Sequence, residues 1–104
     1  MRAPEEPNFC VLIPYDPREG TSLKEAAARA GKSDSTLRNW CEQHGLGRRV
    51  GGSVWVVSKP ALEMFLDGDL AALAAYHQGD RDSPLVAPYF TRVTRIVRYT
   101  TMKK

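Results

Sequence analysis

Between Thr21 and Leu66 the chain has almost no residue to spare. TSLKEAAARAGKSDSTLRNWCEQHGLGRRVGGSVWVVSKPALEMFL carries two short helical patterns, a Gly-Gly turn between strand-like runs and a third helical pattern, end to end. Connections this short leave few ways to pack the pieces, so the stretch constrains the fold more than any other part of the sequence. In the first pattern Leu23, Ala26, Ala27 and Ala30 recur at i, i+3, i+4 and i+7, which gathers them on one helix face. Ser22 and Glu25 bracket its start as a capping box, and Gly31 stops it. A second helix follows a turn of only Gly31, Lys32 and Ser33, with Ser33 as its N-cap. Its apolar stripe is Leu37, Trp40, Cys41 and His44, while Ser35, Arg38, Asn39 and Glu42 repeat at the same spacing on the opposite side. A core helix needs only the first stripe. The second, rich in hydrogen-bonding groups, suits base edges and phosphates in a major groove.

After Gly45 the period becomes strand-like. LGRRV and SVWVV flank Gly51-Gly52, and a two-residue glycine loop supplies the positive φ angles of a primed hairpin turn. Pairing outward from that turn sets Val50 opposite Ser53, Arg49 opposite Val54 and Arg48 opposite Trp55. On this register Arg48 shares a face with Leu46, Val50, Trp55 and Val57, its guanidinium against the Trp55 ring, and Arg49 points to the other side, free for a phosphate. Ser58 caps a third helix beginning near Pro60, with Leu62, Phe65 and Leu66 as its core stripe. Asp67-Gly68-Asp69 ends it, and a fourth short helix in residues 69–79 places Leu70, Leu73, Ala74 and His77 on one face. The fold class expected is mainly α with a small β-hairpin, a winged helix-turn-helix occupying residues 21–79.

The flanks read differently. Residues 1–20 form an N-terminal arm in which FCVLI, residues 9–13, is a short strand ending at Pro14, able to pair with an edge of the wing or with a neighbouring molecule. Residues 80–104 form a linker and a basic tail. In that tail Phe90, Val93 and Val97 suit a helix while Val93, Arg95, Val97 and Tyr99 alternate, and the β-branched content tilts the segment toward a strand or disorder.

Charge is unevenly spread. The net charge is +3, but residues 21–59 hold Lys24, Arg29, Lys32, Arg38, Arg48, Arg49 and Lys59 against three acids. Residues 60–82 carry five acids and one arginine, and residues 92–104 carry five bases and no acid. A binding face and a basic tail separated by an acidic helical segment give that pattern. Cys10 and Cys41 form no zinc signature, and a buried reduced thiol is the expected state of Cys41. His44 and His77 lack carboxylates or thiols at ligand spacing. Trp40, on the Leu37 face, belongs to the core. Gly51-Gly52 lacks the lysine and the strand-helix context of a phosphate loop. With no nucleophile beside a base, no cofactor loop and no apolar run of about 20 residues, the sequence points to neither an enzyme nor a membrane protein. No cofactor and no metal are expected.

LKEAAARAGKSDSTLRNWCEQHGLGRRVGGSVWVVSKPALEMFL resembles the excisionase-type winged helix-turn-helix modules related to the MerR DNA-binding domain. The match lies in the Leu23-x-Glu25-Ala26-Ala27 opening, the Ser33-x-Ser35-Thr36 start of the second helix, Trp40, the basic glycine-tipped wing and the closing Leu62, Phe65 and Leu66. Asp34 departs from it, a negative charge that suits the helix dipole but repels phosphate. Spacing and resemblance together give the candidate DNA-contacting set: Ser33, Ser35, Thr36, Arg38, Asn39, Arg48, Arg49, Gly51 and Gly52. The resemblance implies a recombination directionality factor, several copies of which bind adjacent sites on double-stranded DNA cooperatively and direct a site-specific recombinase toward excision. The implied partners are double-stranded DNA, neighbouring copies meeting through FCVLI and the C-terminal apolar-basic segment, and a site-specific integrase. The expected location is the cytoplasm, at a bacterial or phage-associated nucleoid. The same module in small transcriptional regulators and in phage small terminase subunits supplies two alternative roles, and an interaction module that binds no DNA is the remaining one.

Overall fold

The computed structural model describes residues 10–13, 15–51 and 54–95. Their elements run β1 (Gly20–Ser22), α1 (Leu23–Ala30), α2 (Asp34–His44), β2 (Gly47–Val50), β3 (Val54–Ser58), α3 (Lys59–Asp67), α4 (Leu70–His77) and α5 (Ala87–Arg95). The strands form one antiparallel sheet in the order β1-β3-β2. This is the expected class, mainly helical with a small sheet whose β2–β3 hairpin is the wing of a winged helix-turn-helix.

Local chemistry sets the helix ends. Ser22 Oγ accepts the Glu25 amide at 3.0 Å, and the Glu25 carboxylate takes the Thr21 hydroxyl at 2.6 Å. Gly31, at φ 71°, turns the chain out of α1 in a left-handed conformation that costs glycine little. Ser58 Oγ accepts the Ala61 amide at 3.2 Å at the start of α3, with Pro60 in the first turn, and Asp69 caps α4 through the Ala72 amide at 3.1 Å.

The core gathers Ala26 and Ala27 of α1, Leu37 and Cys41 of α2, Leu46, Val57, Leu62 and Met64, then Leu73 and Tyr76 of α4 and Tyr89 of α5. Two apolar stripes differ from expectation. Leu62 is buried as expected, but Leu66 is 39% exposed and Ala61 and Met64 are buried instead; likewise Leu73 is buried, but Leu70 is 63% exposed and Ala74 exposed, with Ala72 and Tyr76 completing the inner face of α4. An alanine-rich helix offers two nearly equal faces, and α4 turns inward the one with the large aromatic. Its hydroxyl is then satisfied by Ser58 Oγ at 2.8 Å and by the Glu19 carboxylate.

Three further expectations are corrected. The hairpin pairs Val50 with Val54, Arg49 with Trp55 and Arg48 with Val56, one residue out of the expected register. A one-residue slip exchanges the two faces. Residues 10–13 are no strand: residues 11–13 bend in a turn, Val11 and Leu12 are buried at 3% and 0% exposure, and the open edge of β3 is taken by β1. Phe9 and Pro14 lie outside the described residues.

The C-terminal segment is helical through Arg95. Val86, Tyr89 and Val93 come inward at helical spacing, and α5 packs against α3. Arg92 pairs with Glu63 at 3.2 Å and Asp67 at 2.9 Å, and the Tyr89 hydroxyl meets Asp67 and Asp69 at 3.0 and 2.9 Å. These partners lie in another helix and at its end, which residue-by-residue β propensity does not register. Val11, Leu12, Val86, Tyr89 and Val93 are therefore core residues and do not face a neighbouring copy. Residues 96–104, including Val97 and Tyr99, lie outside the described residues.

Candidate nucleic-acid interface

The site is built on α2. Ser33 Oγ accepts the Thr36 amide at 3.1 Å and donates to Thr36 Oγ1 at 3.0 Å, with Ser35 Oγ 3.3 Å away, so three hydroxyls cluster at the helix start. Leu37 and Cys41 hold the inner face in the core, and burial pushes the Cys41 thiol up to about 12, leaving it protonated. Gly45, at φ 67°, ends the helix. The same periodicity leaves Ser35, Arg38, Asn39 and Glu42 exposed along one stripe. Among the described residues Arg38 makes no ion pair. Asp34 stands exposed beside the hydroxyls. Trp40 is half-buried against Phe65, ring centroids 4.8 Å apart, packed onto the core and not within it.

The wing meets α2 at Gly47. A methyl group there would collide with the Val56 carbonyl and come within 3.0 Å of Cys41 Sγ, so the crossing demands glycine. Because side chains alternate along a strand, the face that Gly47 and Val57 turn toward α2 is also the face of Arg49 and Trp55. Arg49 is exposed, its guanidinium 5.8 Å from the centre of the Trp55 ring. A cation held on an aromatic plate at the side of the wing nearest the helix is well placed for a phosphate.

Arg48 faces the other way. It shares its face with Val56 and Val54, and its guanidinium is engaged by the Val11 and Leu12 carbonyls. Ser35, Thr36, Arg38 and Asn39 are thus together on α2 with Ser33 as its cap, and Arg49 and Gly51 are exposed on the wing, whereas Arg48 lies on the wing's other face. Gly52 lies outside the described residues. Trp55 as the support of Arg49 is what sequence reasoning missed; shifting the pairing by one residue finds it.

Several other charged groups build the scaffold. Glu63 is buried between Arg29 and Arg92, and Glu19 is buried against Arg81 at 2.6 Å. A cavity of about 600 Å³ at the base of β1, lined in part by Arg18, Glu19, Arg81 and Phe90, lies where Arg18 pairs with Asp16 and Arg81 with Glu19. Among the described residues no three His, Cys, Asp or Glu side chains could hold a metal ion, and no helix is long and apolar enough to cross a membrane.

No curated protein and no solved structure matches the chain. Residues 22–69, from the cap of α1 through α2 and the wing to the cap of α4, match the family model of a helix-turn-helix domain, a DNA-binding domain family.

Proposed function

We propose that this chain binds DNA sequence-specifically, laying the Ser35, Arg38, Asn39 and Glu42 stripe of α2 in the major groove while Arg49 contacts the adjacent backbone. The observation that carries this reading is the polar stripe on a helix whose other face is core, with Arg49 and Trp55 on the neighbouring side of the wing. Arg38 and Asn39 have the donor and acceptor groups for base edges, and the hydroxyls of Ser33, Ser35 and Thr36 suit phosphate oxygens near the helix start. Gly51 and Gly52 let the tip of the wing approach the duplex closely. The helix-turn-helix family includes excisionase-like proteins, and the role we assign is theirs: an architectural factor whose copies occupy adjacent sites and direct a site-specific recombinase toward excision.

Binding measured on cognate and random duplexes over a range of salt tests the interface. Arg38→Ala and Asn39→Ala should each cost about 1–3 kcal/mol on the cognate site and little on random DNA. Arg49→Ala should weaken both and reduce the slope of log affinity against log salt by about 0.9. Unchanged binding in all three folded variants would remove the helix-and-wing interface.

A further inference from the structure

The two adjacent arginines of the wing do different work. Arg49 is exposed on the α2 side. Arg48, half-buried on the opposite face, donates from Nε to the Val11 carbonyl at 3.0 Å and from Nη2 to the Leu12 carbonyl at 2.7 Å. The carbonyls are consecutive, and a planar fork of donors meets both at once. The segment it grips is anchored. Val11 and Leu12 are buried, and Leu12 holds φ at 57°, a left-handed conformation that leucine keeps only where its surroundings impose it. At the other end of this strap the Cys10 amide donates to the His77 carbonyl at 3.0 Å. The His77 ring, through Nε2, is 2.9 Å from the carbonyl of Gly45, the residue that closes α2. Arg48, the strap, His77 and Gly45 thus link the wing to the end of the recognition helix without a gap.

A two-stranded ribbon is marginal without packing on its faces. β1 braces only the base of the wing, Val56 to Ser58, and α2 supports one face at Gly47. The strap bears on the other face. We propose that Arg48 is a positioning residue: by clasping the Val11–Leu12 backbone it sets the wing against α2 and so places Arg49 for DNA. The proposal rests on the DNA-binding reading above and gives Arg48 no phosphate of its own.

Arg48→Lys in the full chain separates position from charge, since lysine keeps the cation a phosphate needs and loses the fork that holds two carbonyls. In the absence of DNA, backbone amides from Gly47 to Val57 should exchange hydrogen faster in this variant than in the parent, with those of α3 unchanged. Affinity for duplex DNA should fall about tenfold, and the same substitution in an Arg49→Ala background should cause no further loss, because residues acting through one another are not additive. Parental binding and exchange in Arg48→Lys, or additive losses in the double variant, would overturn the proposal. So would global unfolding of Arg48→Lys, seen by circular dichroism, because the clasp would then hold the whole domain and not the wing. Failure of the DNA-binding reading looks different: Arg38→Ala and Arg49→Ala would leave binding unchanged, overturning the placement of Arg49, while exchange without DNA still reads the strap's grip on the wing.

Discussion

Gly47 is the residue at which the wing crosses α2, and its missing side chain is what lets the two elements touch. The obstacle to a larger residue is the Val56 carbonyl and the buried Cys41 sulfur, neither of which can swing aside. Overpacking of this kind costs about 1–3 kcal/mol, and Gly47→Ala should fall at the upper end. An unchanged urea midpoint would show that the wing shifts freely. His77 gives a second residue-scale prediction. Burial lowers its pKa from the ordinary 6.5, against the opposing hydrogen bond to the Gly45 carbonyl. The folded imidazole is therefore neutral where the unfolded one begins to protonate. As pH falls through 6.5 toward the lowered folded value, the unfolded chain binds the proton first, so this contribution to stability is full above 6.5 and lost below it. Unfolding at about pH 5.5 and about pH 7.5 should show the difference in the parent and a flatter response in His77→Gln. A parent more stable at the lower pH would contradict the assignment.

Among the elements, α5 shows where the sequence was legible and where it was not. α1, α2 and α3 could be read in advance because Ser22, Ser33 and Ser58 cap them and glycines end them, although the inner face of α3 takes Ala61 and Met64 in place of Leu66. The polar stripe of α2 followed from its helical spacing. The hairpin was recognisable, but its register was not, since Gly51-Gly52 suits pairings one residue apart equally well and pairing alone decides which arginine faces α2. For α5 the deciding partners are distant: Asp67 and Asp69 for Tyr89, and Glu63 with Asp67 for Arg92. Glu63 ties three helices together. Its side chain is 1% exposed, Arg29 of α1 meets it at 2.7 Å, and Arg92 of α5 meets it at 3.2 Å. Taking one partner from a buried ion pair costs about 3–5 kcal/mol, so Arg29→Ala should cost about 3 kcal/mol. Arg92 is 42% exposed and its other partner Asp67 is 40% exposed, so solvent screens them, and Arg92→Ala should cost about 1 kcal/mol or less. Thermal or urea unfolding of both variants checks the order; Arg92→Ala as the more damaging change would mean that α5 is held by that pair and not by the burial of Val86, Tyr89 and Val93.

At the scale of the whole molecule, the proposed interface, one helix and one wing, is a small reading head. Modules of this size bury about 600–1,000 Å² on DNA, which limits affinity and specificity for a single copy. Copies on adjacent sites overcome the limit, and direct repeats along a duplex call for head-to-tail contacts and not a closed twofold pair. The fold dictates how such assembly is tested. A truncation beginning at Leu85 would remove Val86, Tyr89 and Val93 from the core and break the Arg92–Glu63 contact, so it should unfold the domain and report nothing about neighbours. The informative cut follows Arg95, leaving α5 in place. Removing residues 96–104, with their bases Arg98, Lys103 and Lys104, should preserve the circular dichroism spectrum and a weak complex with one site, while cooperative filling of an array of sites, followed by gel shift, is lost. The intact chain should sediment as a monomer without DNA. A tight DNA-free dimer that occupies a single palindrome, with or without residues 96–104, would instead make this protein a small dimeric regulator, because a closed pair leaves no surface from which a row of copies could grow.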